Sequence, residues 1–200
     1  MSGIEIHQEP TQAYRYFAPC SAAATATWDV GDPVRLVTNQ LQDLPDDTTE
    51  ALIAELIGFA CEPAEGITAR SRATNAADGF GVVTNQMRSY WPFDAPGLLL
   101  RTRNFWSDAA AADAGKEGTE IGDLVSLVAT TGTNVWGFEE TAPTAATEIV
   151  FQIISILDED MNPIDAAATI ALGTAPPLGQ GWIVVRCARA LLSQLTEGGA

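Results

Sequence analysis

Short runs of alternating apolar and polar residues, separated by turn chemistry, dominate the chain from Trp28 onward. Val30, Val34 and Leu36 alternate ahead of a polar stretch, residues 39–50, that reads as a loop. Ala54 to Cys61 follows, with Ile57 and Phe59 set among small residues, and Glu62-Pro-Ala-Glu-Gly66 supplies a bend. Further strands are predicted at Gly79–Val83, at Leu98–Leu100 running on through Arg101 to Trp106, and at Leu124–Ala129. Val135–Phe138 adds another, with Trp136 and Phe138 on one face. Ile149–Leu157 is nearly all apolar and β-branched, which favours a strand over a helix of the same length. Trp182–Cys187 reads as a buried strand after Gly179-Gln-Gly181. Eight or nine short strands with turns between them predict a mainly β fold, a small β-barrel or β-sandwich.

The flanks read differently. Residues 1–27 lack either periodicity, are interrupted by Pro10 and Pro19, and yet carry Tyr14, Tyr16 and Phe17. They predict an extended N-terminal arm that docks on a partner. The core domain is then 28–187, with 188–200 a C-terminal tail that adds a short helix through Leu191, Leu192 and Leu195. The Ala-rich 107–120 stretch reads as a loop, since Gly115 and Gly118 stop a helix.

One motif repeats. Val30-Gly-Asp-Pro-Val-Arg-Leu-Val-Thr38 and Ile121-Gly-Asp-Leu-Val-Ser-Leu-Val-Ala129 align without gaps as aliphatic, Gly, Asp, any, Val, any, Leu, Val, small. Gly permits the positive φ of a tight turn, Asp is expected to accept backbone N–H bonds just ahead of it in an Asx-turn, and Val and Leu at period 2 face the core. Leu56-Ile-Gly-Phe-Ala60 and Val135-Trp-Gly-Phe-Glu139 extend the echo.

Charge narrows the possible partners. With 26 acids against 10 bases the formal net charge is −16, and Lys116 is the single lysine. Such a surface repels phosphate backbones and anionic lipid, so neither a nucleic acid nor a membrane is expected as partner. No run of about 18 apolar residues predicts a membrane-spanning helix, and the first ten residues do not read as a signal peptide. Cys20, Cys61 and Cys187 are too dispersed for a disulfide framework or a zinc site, which points to folding in a reducing compartment.

The lone histidine, His7, leaves no basis for His-ligated metal or a Ser-His-Asp site, and no P-loop or dinucleotide fingerprint occurs. Asp158-Glu-Asp-Met-Asn162 imitates part of a calcium loop, but Pro163 and Thr169 stand where that loop needs Gly and Glu, so it reads as an acidic turn. No cofactor and no enzymatic activity are expected. Trp28, Trp136 and Trp182 read as core. Tyr90-Trp91-Pro-Phe93 reads as a loop presenting three aromatics, either a contact surface or a plug over a barrel end.

The Gly-Asp-x-Val strand, the Leu56–Gly66 segment and the second Gly-Asp strand at 121–129 together resemble the small β-barrel proteins that decorate, or cement, the heads of tailed bacteriophages. The resemblance spans residues 28–187. It implies a virion structural protein on the outer capsid surface, present in the host cytoplasm during assembly. It would bind the major capsid protein and other copies of itself, with Tyr14, Tyr16, Phe17, Tyr90, Trp91 and Phe93 as contact residues. The rival expectations are a carbohydrate-binding module or adhesin stacking sugars on Tyr90, Trp91 and Trp106, and, weakest, an enzyme on a β scaffold.

Overall fold

The structure is a computed structural model that describes residues 3–11, 14–20, 28–37, 40–44, 56–64, 86–108, 113–114, 120–130, 135–139, 149–164 and 181–188. The expected strand at 79–83, the helix after residue 188 and the small-residue stretch 21–27 lie outside these residues. Everything regular among the described residues is β. In chain order the strands are β1 (Ile4–Gln8), β2 (Tyr16–Cys20), β3 (Pro33–Val37), β4 (Gln40–Asp43), β5 (Gly58–Ala60), β6 (Gln86–Pro92) and β7 (Leu99–Thr102). They continue as β8 (Phe105–Asp108), β9 (Asp113–Ala114), β10 (Leu124–Thr130), β11 (Val135–Glu139), β12 (Val150–Leu157) and β13 (Trp182–Cys187).

Two sheets result. One is a closed barrel in the order β2-β4-β3-β5-β6, and the other is an eight-stranded sheet in the order β1-β7-β13-β12-β10-β11-β8-β9. The second sheet curls back on itself, because β7 and β8 are consecutive in the chain, separated only by Arg103 and Asn104. β7 pairs antiparallel with β13, whereas β8 pairs in parallel with β11. Taking β7–β8 as one bent strand, each sheet contains a five-strand circuit with the order first, third, second, fourth, fifth. In the barrel, too, the first strand meets the third in parallel, at Cys20 opposite Leu41.

The repeated motif sits at the same place in each circuit. Gly31 and Gly122 have φ of 90° and 107°, as the third residue of a type II turn requires. Asp32 N–H donates to Asp29 O and Asp123 N–H to Glu120 O, both at 3.2 Å. The Asp carboxylates accept backward, from Asp29 N–H at 2.7 Å and Glu120 N–H at 2.8 Å, not from the residues ahead. Each turn then docks on the fourth strand. Gly31 donates to Ala60 O and receives Ala60 N–H on Asp32 O, while Gly122 and Asp123 make the same pair of bonds with Ile153. Leu36 pairs with Leu41 and Leu127 with Phe138, so the hairpins also match in register.

Four expectations change. Ile4–Gln8 and Tyr16–Cys20 are no arm: β1 lies on β7 and β2 is a full barrel member, with Ile4 and Cys20 completely buried. The polar 39–50 stretch contains β4, held by the single inward residue Leu41. Within 107–120, Asp113 and Ala114 pair with β8. The second echo is not structural, since Gly58-Phe59-Ala60 is β5, whose counterpart is β12, and Val135–Glu139 is β11, whose counterpart is β4.

The interiors differ in size. The barrel is filled by Ala18, Cys20, Val34, Leu41 and Ala60 beside Trp28. The second circuit is filled by Phe105, Phe138, Phe151, Leu127 and Ile153. This cluster continues across to Phe59, Trp91, Phe93, Leu44 and Leu56 of the barrel. Phe151 packs edge-on against both Phe138 and Phe59, with ring centroids 5.0 and 6.1 Å apart. One apolar core therefore joins the two sheets.

Candidate interaction face

The β2–β6 ladder divides the expected contact residues between two faces. Tyr16 lies opposite Tyr90, Phe17 opposite Ser89, Ala18 opposite Arg88 and Pro19 opposite Met87. Ala18 and Cys20 are buried, so their face is the barrel interior, and Tyr16 closes its open end with its ring centroid 6.1 Å from that of Tyr90. Phe17 and Met87 share the outer face as diagonal neighbours. They are 58% and 53% exposed and form a small apolar patch there; Tyr16, on the other face of the ladder, is 52% exposed, and Tyr14, ahead of β2, is 38% exposed. Met87 is the member the sequence reading missed. Its signal was the alternation of Met87, Ser89 and Trp91, which was hidden because Tyr90–Phe93 was read as a loop.

That loop reading is corrected. Tyr90, Trp91 and Pro92 complete β6, where Trp91 pairs with Phe59 and Pro92 with Gly58. Trp91 is 1% exposed and Phe93 7%, and both belong to the core that joins the sheets. Neither can touch a partner or stack a sugar. Tyr90 is half-buried, and burial pushes its hydroxyl pKa above the usual value, with Tyr16 adding to the shift. Of the six expected contact residues, the ladder thus carries Tyr16, Phe17 and Tyr90, Tyr14 lies exposed just ahead of it, and Trp91 and Phe93 are withdrawn into the core. The ring of Trp106 lies outside the described residues.

A polar clasp anchors the patch. Arg15 Nη2 donates to Glu62 Oε1 and to Ser89 Oγ, each at 2.6 Å, and Ser89 Oγ donates to the same carboxylate oxygen at 2.7 Å. This triangle covers Ser89 completely and holds the Arg15 guanidinium carbon 5.6 Å from the centroid of Phe17. Trp28, buried as expected, donates Nε1–H to Glu62 O at 3.0 Å and fixes the same turn. Cys20 and Cys61 lie beneath it. Burial raises both thiols to about 11, against the smaller opposing pull of Arg88 on Cys20 and of Arg15 on Cys61.

Elsewhere the chemistry is structural. Trp182 is not core as expected. It lies partly buried on the outer face of the curled sheet, with the Arg101 and Arg103 guanidinium carbons 4.7 and 4.5 Å from its ring centroid. Asp158–Asn162 is a closed turn, in which Asp158 Oδ1 accepts the Asn162 N–H at 2.8 Å, and that bond leads in depressing the Asp158 pKa. Leu36, expected inward, is 42% exposed near the tip of its hairpin. Comparison with known protein families, curated proteins and solved structures finds no match to this chain.

Proposed function

We propose that this chain is a virion structural protein, a head decoration or cement protein that binds the outer surface of the major capsid protein and stabilises the shell. The observation that carries the reading is the patch on the β2–β6 ladder. Phe17 and Met87 stand more than half exposed as diagonal neighbours on the outer face of a closed barrel, with a guanidinium held over Phe17 and with Tyr14 and Tyr16 also exposed at the start of β2. Aromatic and Met side chains beside Arg are the anchors that protein interfaces use most, and scattered surface apolars rarely cluster this way. The acidity supports an outward-facing position, since 26 acids would be unfavourable against packaged nucleic acid. The resemblance of the Gly-Asp strands to head decoration proteins supplies the class of partner.

The test is binding to capsids isolated without the chain, followed by co-sedimentation and thermal disruption of the shell. Saturable binding and a higher disruption temperature are expected, with binding weakened at least tenfold by Phe17→Ser, as for loss of a central anchor. Absence of binding at about 10 μM, or shells no more stable with the chain than without it, would overturn the reading.

A further inference from the structure

The two circuits differ at one edge. In the curled sheet, β1 lies along β7 on the side away from β13, with Ile4 opposite Thr102, Glu5 opposite Arg101 and Ile6 opposite Leu100. It fills the opening where the bent first strand leaves β11. The Thr102 hydroxyl donates to the Gly3 carbonyl, and Arg101 forms an ion pair with Glu5 at 2.6 Å.

The corresponding edge of the barrel can be located by register. Ala60 and Ile153 are equivalent through their bonds to the Gly-Asp turns, so their partners Tyr90 and Val185 are equivalent. Tyr16, Phe17 and Ala18 then correspond to Leu100, Arg101 and Thr102. β2 meets β4 only at Cys20, and among the described residues no strand pairs with Tyr16–Ala18 on the side away from β6. The backbone polarity there is fixed. Ser89 O accepts the Cys61 N–H at 2.9 Å, so the backbone groups of Ser89 point away from β2. Those of its cross-strand partner Phe17 therefore point away from β6, toward the opening.

We propose that this edge accepts, in trans, an extended strand of another protein whose central residues read apolar, basic, apolar. The pattern is taken from the occupied edge. There Ile4 and Ile6 flank Glu5, whose charge answers Arg101. At the open edge the residue in the place of Arg101 is Phe17, more than half exposed and already drawing one guanidinium. On a chain of net charge −16, the complement to that aromatic face is a cation. Main-chain pairing supplies affinity and the flanking side chains supply selection, as in other strand additions. The inference concerns the edge alone and stands apart from the capsid reading.

The test uses the full chain and two blocked peptides, Gly-Ile-Lys-Ile-Thr-Gln-Gly and its Glu analogue. Amide exchange of Phe17 is read by NMR and affinity by titration. The Phe17 amide exchanges freely in the unliganded chain, becomes protected by the Lys peptide, and the Lys peptide binds about tenfold tighter than the Glu peptide. Phe17→Pro deletes the outward N–H without removing a bond to β6, and abolishes binding of the Lys peptide. Phe17→Ala keeps the N–H, so it still binds but loses the preference for Lys. A Phe17 amide already protected in the free chain, equal binding of both peptides, or no binding at about 1 mM would overturn the proposal.

Discussion

Gly31 and Gly122 occupy the same position in the same turn, yet their surroundings predict different costs for the same substitution. Both have φ near +100°, so Gly→Ala at either site forces an L side chain into a disfavoured region, at about 1–2 kcal/mol. A Cβ on Gly122 has no atom within 4 Å, and the cost ends there. A Cβ on Gly31 would overlap the carbonyl oxygen of Ile4. That oxygen belongs to β1, whose neighbours Gly3 and Glu5 are held by Thr102 and Arg101, so it cannot move without disturbing the edge of the curled sheet. Overpacking against fixed backbone adds about 1–3 kcal/mol. The expected losses are therefore about 1–2 kcal/mol for Gly122→Ala and about 2–5 kcal/mol for Gly31→Ala. Urea unfolding monitored by tryptophan fluorescence measures both. Amide exchange adds a second readout, because Gly31→Ala should also loosen β1 and β7, far from the substitution in sequence. Equal costs at the two sites, or an undisturbed β1 in Gly31→Ala, would refute the reasoning that the first turn is packed against β1.

Other outcomes follow from the same geometry. The shared core predicts a single cooperative unfolding transition, with Phe59→Leu and Phe151→Leu coupled by about 0.5–1.5 kcal/mol in a double-mutant cycle. Asp32→Ala and Asp123→Ala should each cost about 1 kcal/mol through the lost carboxylate–amide bond, measured by the same unfolding assay. Cys20 and Cys61, with thiols near 11 against an ordinary 9.0, should react with iodoacetamide at neutral pH about a hundredfold more slowly than in the urea-unfolded chain. Mass spectrometry of quenched samples reads this. The Asp158 carboxyl is depressed in the folded chain, so its contribution is present above its unfolded value of 3.8 and is lost as pH falls through the lower folded value. Asp158→Asn should therefore flatten the stability curve in that acid range and lower stability slightly near pH 7, where the charged carboxylate contributes in full.

The sequence disclosed the class of fold because three of its four longest strands are also its most regular. β10, β12 and β13 announce themselves by β-branched runs, and Gly-Asp marks turns whose conformation needs that glycine and that carboxylate. What stayed hidden is explained by size and context. β4 has one buried apolar residue, Leu41, and β5 only three residues, so neither produces a pattern. The first two strands are set in polar and Pro-containing sequence. Pro19 suits β2 because no N–H is missed on a strand with an open edge. Pro92 ends β6, and its presence made buried Trp91 look like a loop residue. At the interaction face, Tyr14, Tyr16 and Phe17 were legible as clustered aromatics. Whether Trp91 faced solvent or core depended on Phe59 and Phe151, which no local pattern reveals.

The duplication shows in sequence only where hydrogen-bond geometry dictates residue type, and the rest has diverged because the two interiors face different demands. At the parallel contact between first and third strands, the barrel uses Cys20 and Leu41 where the curled sheet uses Phe105 and Phe138. The larger pair fills a sheet whose first strand is bent apart, and the bend leaves the opening that β1 occupies. The smaller pair suits a barrel whose first strand runs unbroken. Phe17 stands outside by the alternation of β2, in the place that Arg101 takes on β7. One edge is completed from within the chain by β1, and a strand supplied in trans beside Phe17 would complete the other in the same way.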